Sequence, residues 1–134
     1  MSDESRHDLG MRVRREVLGG AHVDRAAAAA TPFDAPFQHF ITETAWGTLW
    51  AGDGIDRRTR SLITIGILAA LGRQEELALH LRATRNTGAT ADEVREALLH
   101  VAVYAGLPAA NAAFALARSI LAESVDVAAM EEVP

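Results

Sequence analysis

The chain lacks cysteine entirely, and this absence excludes several kinds of chemistry. A protein without thiols has no disulfide, no thiolate metal site and no thiol-based mechanism. Aromatic residues are also scarce, at 5% of the sequence, and the 49% hydrophobic content rests largely on alanine and leucine. This composition favours closely packed helices over a β-sandwich. We therefore expect an all-α protein, a compact bundle of about six helices around one core.

The sequence also lacks an excess of positive charge and a long apolar run. Its net charge is −5 and its pI is about 5.5, whereas nucleic-acid binders present a basic surface to the phosphates. No apolar run approaches the roughly 18 to 20 residues that span a bilayer, and no secretory signal pattern is present. We therefore expect no nucleic-acid partner, no membrane association and a cytoplasmic location.

The chain divides into three predicted segments. Residues 1–13 are polar and are expected to be flexible, and residues 124–134 form an acidic tail. Residues 14–123 carry helical periodicity and are expected to form one helical domain. A short helix is predicted from Arg14 and ends at the glycines that follow Leu18.

Several helix ends in this domain have clear signals. Asp34 stands before Pro36 and is placed to cap a helix. Gly88 is expected to end another helix in a left-handed conformation, and Thr90 with Glu93 fits a capping box that starts the next one.

Two helices have almost no polar face. The helix that opens at Asp56 is apolar nearly all round, which predicts a buried central helix. The last helix carries alanines on all of its sides. It is predicted to begin at Pro108 and to end near Ala122. We expect an oligomer to bury that last helix.

The segment from Glu76 to Gly88 carries an acid, a base and two arginines on one predicted helix. Glu76 and His80 are four apart and share a face, while Arg85 lies somewhat rotated from them. The pair could ligate a metal, shuttle a proton or form an ordinary surface hydrogen bond, and the spacing alone favours the hydrogen bond. A zinc site needs further ligands, and no His-Glu-x-x-His pattern is present, so no metal site is expected.

Other residues also have alternative interpretations. Trp46 and Trp50 would stack on one helix face, either as core or interface packing or as the wall of an apolar site. His22 lies in a predicted polar turn that could cover a pocket. His39 and His100 are interpreted as structural histidines.

Three arginines, Arg57, Arg58 and Arg60, lie at a helix start, where positive charge opposes the helix dipole. They need compensation from acids or from a bound anion. For Arg57, surface pairing with Asp53, Asp56 or a neighbouring subunit is favoured over substrate contact.

Five signatures occur in order along residues 14–121. They are Arg15-x-Val-Leu-Gly with His22-Val, Pro36-Phe-Gln with Trp46-Gly and Trp50, Asp56-Arg-Arg-Thr-Arg-Ser, Glu76-x-x-x-His80-x-x-Ala with Asn86-Thr-Gly, and Val103-Tyr-Ala-Gly-x-Pro-Ala-Ala-Asn111. Together they closely resemble the γ-carboxymuconolactone decarboxylases of the protocatechuate branch of aromatic degradation. The resemblance implies an alkylhydroperoxidase D-like helical fold, no cofactor or metal, and a homo-oligomer, a trimer or a hexamer built from trimers.

The chain departs from the alkylhydroperoxidase D pattern at the redox centre. Those proteins carry Cys-x-x-Cys followed four residues later by histidine, whereas this chain has Arg73 and Glu76 before His80. Neither residue forms a thiolate or a disulfide, so peroxidase activity of that kind is excluded.

The resemblance also implies a reaction, the cofactor-independent decarboxylation of a dianionic lactone, γ-carboxymuconolactone, to 3-oxoadipate enol-lactone in the β-ketoadipate pathway. Loss of CO2 pushes electrons into the lactone carbonyl and leaves a dienolate that needs a proton. Our hypothesis makes His80 the acid, Glu76 the group that raises its basicity and Arg85 a carboxylate clamp. The expected substrate-binding residues are Arg15, His22, Trp46, Trp50 and Arg60.

Two alternatives stay open at the level of sequence. The chain could be a decarboxylase or isomerase that acts on a related lactone or β-keto acid. It could also be a non-catalytic oligomer that binds a small dicarboxylate with the same groups.

Overall fold

Helices account for most of the chain, whose computed structural model describes the backbone of residues 4–132 and the side chains of residues 4–123. These residues contain seven α-helices and one π-helical segment and no β-strand, which confirms the all-α class, where about six helices were predicted. The elements are α1 (Arg6–Leu18), α2 (Gly20–Ala29), α3 (Ala35–Ile41), the π-helical segment (Thr42–Trp50), α4 (Arg57–Leu71), α5 (Gln74–Thr87), α6 (Ala91–Tyr104) and α7 (Leu107–Glu132).

The chain divides into two units, the first ending at Arg57 and the second beginning at Arg58. Both outer helices extend past the predicted segment boundaries. Helix α1 begins at Arg6, not Arg14, and α7 continues to Glu132 instead of ending near Ala122. Residues 1–3 and 133–134, and the side chains of the predicted acidic tail, lie outside the described residues.

Helix α1 supplies the buried face of the first unit. Its buried residues recur at helical spacing and are Gly10, Val13, Arg14 and Val17. The hydroxyl of Ser5 caps the helix by accepting the N–H of Asp8 at 3.0 Å. Gly19, with a φ of 93°, ends it as predicted, and α2 begins at the next residue.

Two glycines allow α1 and the π-helical segment to approach at backbone distance. A Cβ atom at Gly10 would lie 2.1 Å from the carbonyl oxygen of Thr42. A Cβ at Gly47 would lie 2.5 Å from the carbonyl oxygen of Arg6. No side chain fits at either place, so the packing of these two elements depends on both glycines.

Asp34 is positioned before α3 as predicted, but its carboxylate does not cap the helix. One carboxylate oxygen instead accepts the N–H of Thr31 at 2.7 Å and the hydroxyl of Thr31 at 3.2 Å. This bond to the residue three positions earlier uses the acceptor that a cap on α3 would need. Helix α3 then continues without a break into the π-helical segment.

The hydrogen bonds of two threonine hydroxyls reflect the change from α-helical to π-helical spacing. Thr44 donates to the carbonyl of Phe40, four residues earlier, at 2.8 Å. Thr48 donates to the carbonyl of Glu43, five residues earlier, at 2.9 Å. The sequence predicted a helix toward Trp50, and the wider turn with its five-residue spacing is a feature that the periodicity did not reveal.

Four helices form the core of the second unit. Their fully buried side chains come from α4, α5, α6 and α7, and include Ile65, Leu77, Leu81, Leu98 and Ala113. Alanines at the α7 positions of this core allow close contact between helix axes. Helix α7 buries one face, whereas Ala112 and Ala115 are exposed, so burial of its other face by an oligomer stays a prediction.

Helix α4 is not the fully buried central helix that its apolar sequence predicted. Its buried stripe is Ser61, Ile65 and Ala69. On the other side Ile63 and Ile67 are 50% and 53% exposed. Apolar residues on every side of α4 predicted that every side is buried, but a single chain covers only one side of this helix.

The predicted signals around α6 are confirmed. Thr90 and Glu93 form a reciprocal capping box, and Gly88 ends α5 with a φ of 87°. The second carboxylate oxygen of Glu93 pairs with Arg58 at the start of α4. No described helix is long and apolar enough to cross a bilayer.

Candidate functional site

The eight predicted site residues divide equally between the two units. The first unit holds Arg15 in α1, His22 in α2, and Trp46 and Trp50 in the π-helical segment. The second unit holds Arg60 in α4, with Glu76, His80 and Arg85 in α5. Each of the eight residues therefore has an assigned helical element within its own unit.

His80 lies in the middle of α5 and is half-buried, with its Nδ1 atom enclosed by protein. Glu76 lies in the first turn of the same helix and is exposed. The predicted hydrogen bond between them is not formed, because Glu76 makes no hydrogen bond or ion pair with any described residue. Its carboxylate extends into solvent at the helix N-terminus, where the dipole favours negative charge.

The two arginines of this unit that were predicted as site residues, Arg60 and Arg85, differ in burial. Arg60, in the first turn of α4, is half-buried, and its Nε atom is enclosed without a hydrogen bond to a described residue. Arg85 is exposed in the last turn of α5, where the helix dipole favours a cation. Arg82 lies on the same helix as Arg85 and pairs with Glu123 at 3.6 Å. A half-buried arginine with an unused donor is suited to hold a carboxylate.

A groove runs between α4 and α6 in the second unit, with a volume of about 490 Å³. We call it the α4–α6 groove, and its lining residues include Leu62, Ile63, Gly66, Ile67, His100 and Tyr104. The rings of His100 and Tyr104 stack with their centroids 6.4 Å apart. His80 is not one of its lining residues, so this groove is distinct from the predicted proton donor.

Trp46 and Trp50 stack as predicted, with ring centroids 5.4 Å apart and an angle of 28° between the planes. They are 6% and 4% exposed. This burial agrees with the packing interpretation in the single chain. Their role as the wall of a substrate site stays a prediction.

Arg15 and His22 are engaged locally in the first unit. Arg15 pairs with Asp24 across the turn between α1 and α2, at 2.6 Å. His22 lies inside α2, which corrects its predicted place in a polar turn. Burial, and then the charges of Arg14 and Arg25, lower the pKa of His22, so its imidazole favours the neutral form.

Arg57 pairs with an acid, as predicted, but the acid is Glu16 of α1, at 2.6 Å, and not Asp53 or Asp56. This ion pair, with help from Arg12, lowers the pKa of the Glu16 carboxyl. Both side chains are partly exposed, so we interpret the pair as a surface contact of the first unit.

One buried arginine, Arg14, is not among the residues that the sequence predicts for the site. It is 9% exposed, and its Nη1 atom donates to the Oε1 atom of Gln38 at 3.3 Å. Burial lowers its pKa. A signal for it did exist, since Gly10, Val13, Arg14 and Val17 recur at the spacing of one helix face. An arginine within such an apolar stripe predicts a buried cation.

Chemically, the second unit offers an imidazole and guanidinium groups, which are groups that can donate a proton and hold carboxylates. Residues 35–119 match the model of the carboxymuconolactone decarboxylase family. The chain is 50% identical over 120 residues to 4-carboxymuconolactone decarboxylase of Acinetobacter baylyi, and the match covers 90% of each chain.

Two further relatives are similar. Nitrosuccinic acid decarboxylase of Metarhizium robertsii is 44% identical over 119 residues, which cover 89% of this chain and 83% of that protein. A 4-carboxymuconolactone decarboxylase sequence of Pseudomonas putida is 49% identical over 47 residues, or 35% of this chain and 98% of that sequence. A family match over more than half of the chain, together with such identities, establishes that the protein belongs to the carboxymuconolactone decarboxylase family.

Proposed function

We propose that the protein is a carboxy-lyase that converts 4-carboxymuconolactone to 3-oxoadipate enol-lactone and CO2. The observation that carries this proposal is the 50% identity to the A. baylyi relative of that name, over 90% of both chains. The proposal includes a place in the protocatechuate branch of the β-ketoadipate pathway. It also includes a cytoplasmic location, which the absence of cysteine fits.

In the proposed reaction the substrate itself supplies the group that accepts the electron pair, its lactone carbonyl. The bond between the γ carbon and the carboxylate carbon breaks, and its electron pair moves through the adjacent double bond into the lactone carbonyl. CO2 leaves, and the resulting dienolate takes a proton at the α carbon. The protein must therefore bind two carboxylates, stabilise the negative charge on the lactone oxygen and supply one proton.

His80 is the proposed proton donor, because it is half-buried in the middle of α5 and an imidazole can act as a general acid. Arg60 and Arg85 are the proposed carboxylate clamps. Arg60 is supported by its enclosed Nε atom, whereas Arg15 is less suited because Asp24 already occupies its guanidinium. Glu76 would act on His80 only after a change of rotamer, since it is exposed in the single chain.

The proposal assigns the remaining predicted residues to the substrate's surroundings. Trp46 and Trp50 would exclude water from the departing carboxylate, which favours neutral CO2. His22 would contribute from α2, where its lowered pKa favours a neutral imidazole that accepts or donates a hydrogen bond.

A homo-oligomer, a trimer or a hexamer, is part of the same proposal. Its support is the large apolar surface of the second unit, where Val103, Tyr104 and Leu107 are 75%, 85% and 73% exposed. Apolar patches of this kind commonly mark contacts between proteins. Light scattering of the purified protein tests this part directly.

A second candidate function rests on the 44% identity to nitrosuccinic acid decarboxylase. Nitrosuccinate also has two carboxylates, and its nitro group can accept the electron pair that CO2 leaves behind. The same clamps and proton donor would therefore serve both reactions.

The deciding experiment measures CO2 release and loss of substrate absorbance with purified protein that has been dialysed against a chelator. We expect kcat/KM to be higher for 4-carboxymuconolactone than for nitrosuccinate. The reverse order would favour the second function. Tight binding of either dicarboxylate without CO2 release would support the non-catalytic alternative.

A further inference from the structure

The first unit contains a cavity of about 290 Å³ between α1, α2 and α3, and we call it the Arg14 cavity. Its polar lining residues are His7, Arg14, Gln38, His39 and Thr42. Its apolar walls come from Met11, Val23 and the alanines of α2. The volume lies near the lower end of the range for small-molecule sites, about 300 to 1,000 Å³.

Arg14 is a buried cation whose charge is not neutralised by any acid of the described residues. It forms no ion pair within 4.0 Å with a described residue, and its Nε atom is enclosed without a hydrogen bond. Among the described residues its one side-chain partner is the neutral amide oxygen of Gln38, at a long 3.3 Å. Burial of a cation is unfavourable unless an anion and further hydrogen bonds compensate it.

The other groups around the cavity leave this positive charge in place. Two described carboxylates lie close to its lining, and each one faces a histidine. Glu43 pairs with the Nε2 atom of His39 at 2.8 Å, and Asp8 lies 3.9 Å from the Nδ1 atom of His7. The rings of His7 and His39 stack with centroids 4.6 Å apart. The charge of Arg14 is also one cause of the lowered pKa of His22.

We propose that the Arg14 cavity binds the carboxylate of a small organic acid, held by the Arg14 guanidinium with the acid's carbon skeleton against Met11 and the α2 alanines. A guanidinium matches a carboxylate with two parallel N–H donors, and the unused Nε donor supplies one of them. Apolar walls favour an organic anion over phosphate or chloride. The proposal does not depend on the decarboxylase activity, because the proposed proton donor and clamps, His80, Arg60 and Arg85, belong to the second unit.

The test follows the histidine side chains by NMR while succinate is added to the full chain. His7 and His39 line the cavity, and His100 of the α4–α6 groove serves as an internal control. We expect succinate to shift the signals of His7 and His39 saturably and to leave His100 in place. Succinamide, which has the same skeleton without charge, should produce no saturable shift. Inorganic phosphate should bind at least tenfold more weakly than succinate.

Two variants assign the binding to Arg14. Arg14→Met keeps a long side chain and removes the buried charge, so it should fold and melt at the same or a higher temperature. Its succinate affinity should fall at least tenfold. Arg12→Gln removes one positive charge from the exposed side of the same helix, where Arg12 pairs with Glu4 at 3.0 Å, and should bind as the wild type does.

Several results would overturn the proposal. Equal shifts with succinate and succinamide would show that charge is not recognised. Unchanged succinate affinity in Arg14→Met would show that Arg14 does not hold the ligand. Phosphate binding as tight as succinate binding would show that the cavity does not select organic acids. If the protein decarboxylates its substrate but gives any of these results, only the proposed carboxylate site in the Arg14 cavity is disproved. If it binds succinate as expected but does not decarboxylate, the proposed decarboxylase function fails and the Arg14 proposal stands.

Discussion

Gly10 of α1 lies directly against the carbonyl oxygen of Thr42, at a distance that leaves no room for a β carbon. The first unit is built on this approach, because Arg14 follows one turn later on the buried face of α1. The position of the Arg14 cavity therefore depends on a contact between two backbones.

Gly10→Ala should destabilise the protein, because the new Cβ atom would lie 2.1 Å from the Thr42 oxygen and force α1 outward. We expect a loss of about 1 to 3 kcal/mol in the free energy of unfolding, as for other overpacked sites. Urea denaturation at constant pH measures it. Gly66→Ala is the matched control, since Gly66 lies in α4 with open space around it and should gain roughly 0.5 to 1 kcal/mol. Equal effects of both changes would show that the contact is not rigid.

His80→Gln should lower kcat for decarboxylation by about 10² to 10⁴, because a positioned proton donor contributes that much. His100→Gln removes an imidazole from the α4–α6 groove and should keep the wild-type rate. Initial rates with 4-carboxymuconolactone measure both. A His80→Gln rate within a few fold of the wild type would assign the proton to another group.

Arg60→Lys should mainly raise KM, because lysine keeps the charge but loses the planar pair of donors. Loss of one charge-assisted hydrogen bond corresponds to roughly tenfold or more. Arg85→Lys tests the second clamp in the same assay. Arg82→Lys is the control, since Arg82 pairs with Glu123 at the surface of the same unit. If all three variants share the wild-type KM, the clamps lie elsewhere.

His22 should make folding stability depend on pH. Its pKa is lowered in the folded protein from the ordinary value of 6.5, by burial first and then by Arg14 and Arg25. Protons therefore bind the unfolded chain more readily, and stability falls as the pH drops through 6.5 toward the lowered folded pKa. Urea denaturation at about pH 7.5 and about pH 5.5 should show a smaller loss in His22→Gln than in the wild type. Arg14→Met should also reduce the loss, because one cause of the shift is removed. An identical pH dependence in all three proteins would contradict this assignment.

Thr90→Ala should cost about 1 kcal/mol in the free energy of unfolding, because α6 loses the oxygen that accepts the N–H of Glu93 at 3.1 Å. Thr90→Ser keeps that oxygen and should retain most of the stability. Thermal or urea denaturation distinguishes the two. A serine variant as unstable as the alanine variant would mean that the methyl group, and not the cap, is what matters.

Features set by neighbouring residues were predictable from the sequence. The capping box of Thr90 and Glu93 and the glycine ends at Gly19 and Gly88 each depend on residues close in the chain. The same holds for the stacking of Trp46 on Trp50, which needs only their spacing along one helix.

Features that depend on distant contacts were not predictable in this way. The exposed side of α4 carries Ile63 and Ile67, and an apolar sequence does not reveal which side a single chain covers. The sequence allowed Asp34 either to cap α3 or to bond to Thr31, and in the structure it bonds to Thr31. The spacing of Arg14 within an apolar stripe indicates burial, but the cavity beside it forms only where α2 and α3 meet α1.

Glu93 links the two helices that border the α4–α6 groove. One of its oxygens accepts the N–H of Thr90 at 3.0 Å, and the other pairs with Arg58, so a single carboxylate pins the first turns of both helices together. This shared carboxylate links the two helices at one end of the groove, whereas Tyr104 lies at the other end. We therefore expect a ligand that widens the groove to separate the helices more near Tyr104 than near Arg58.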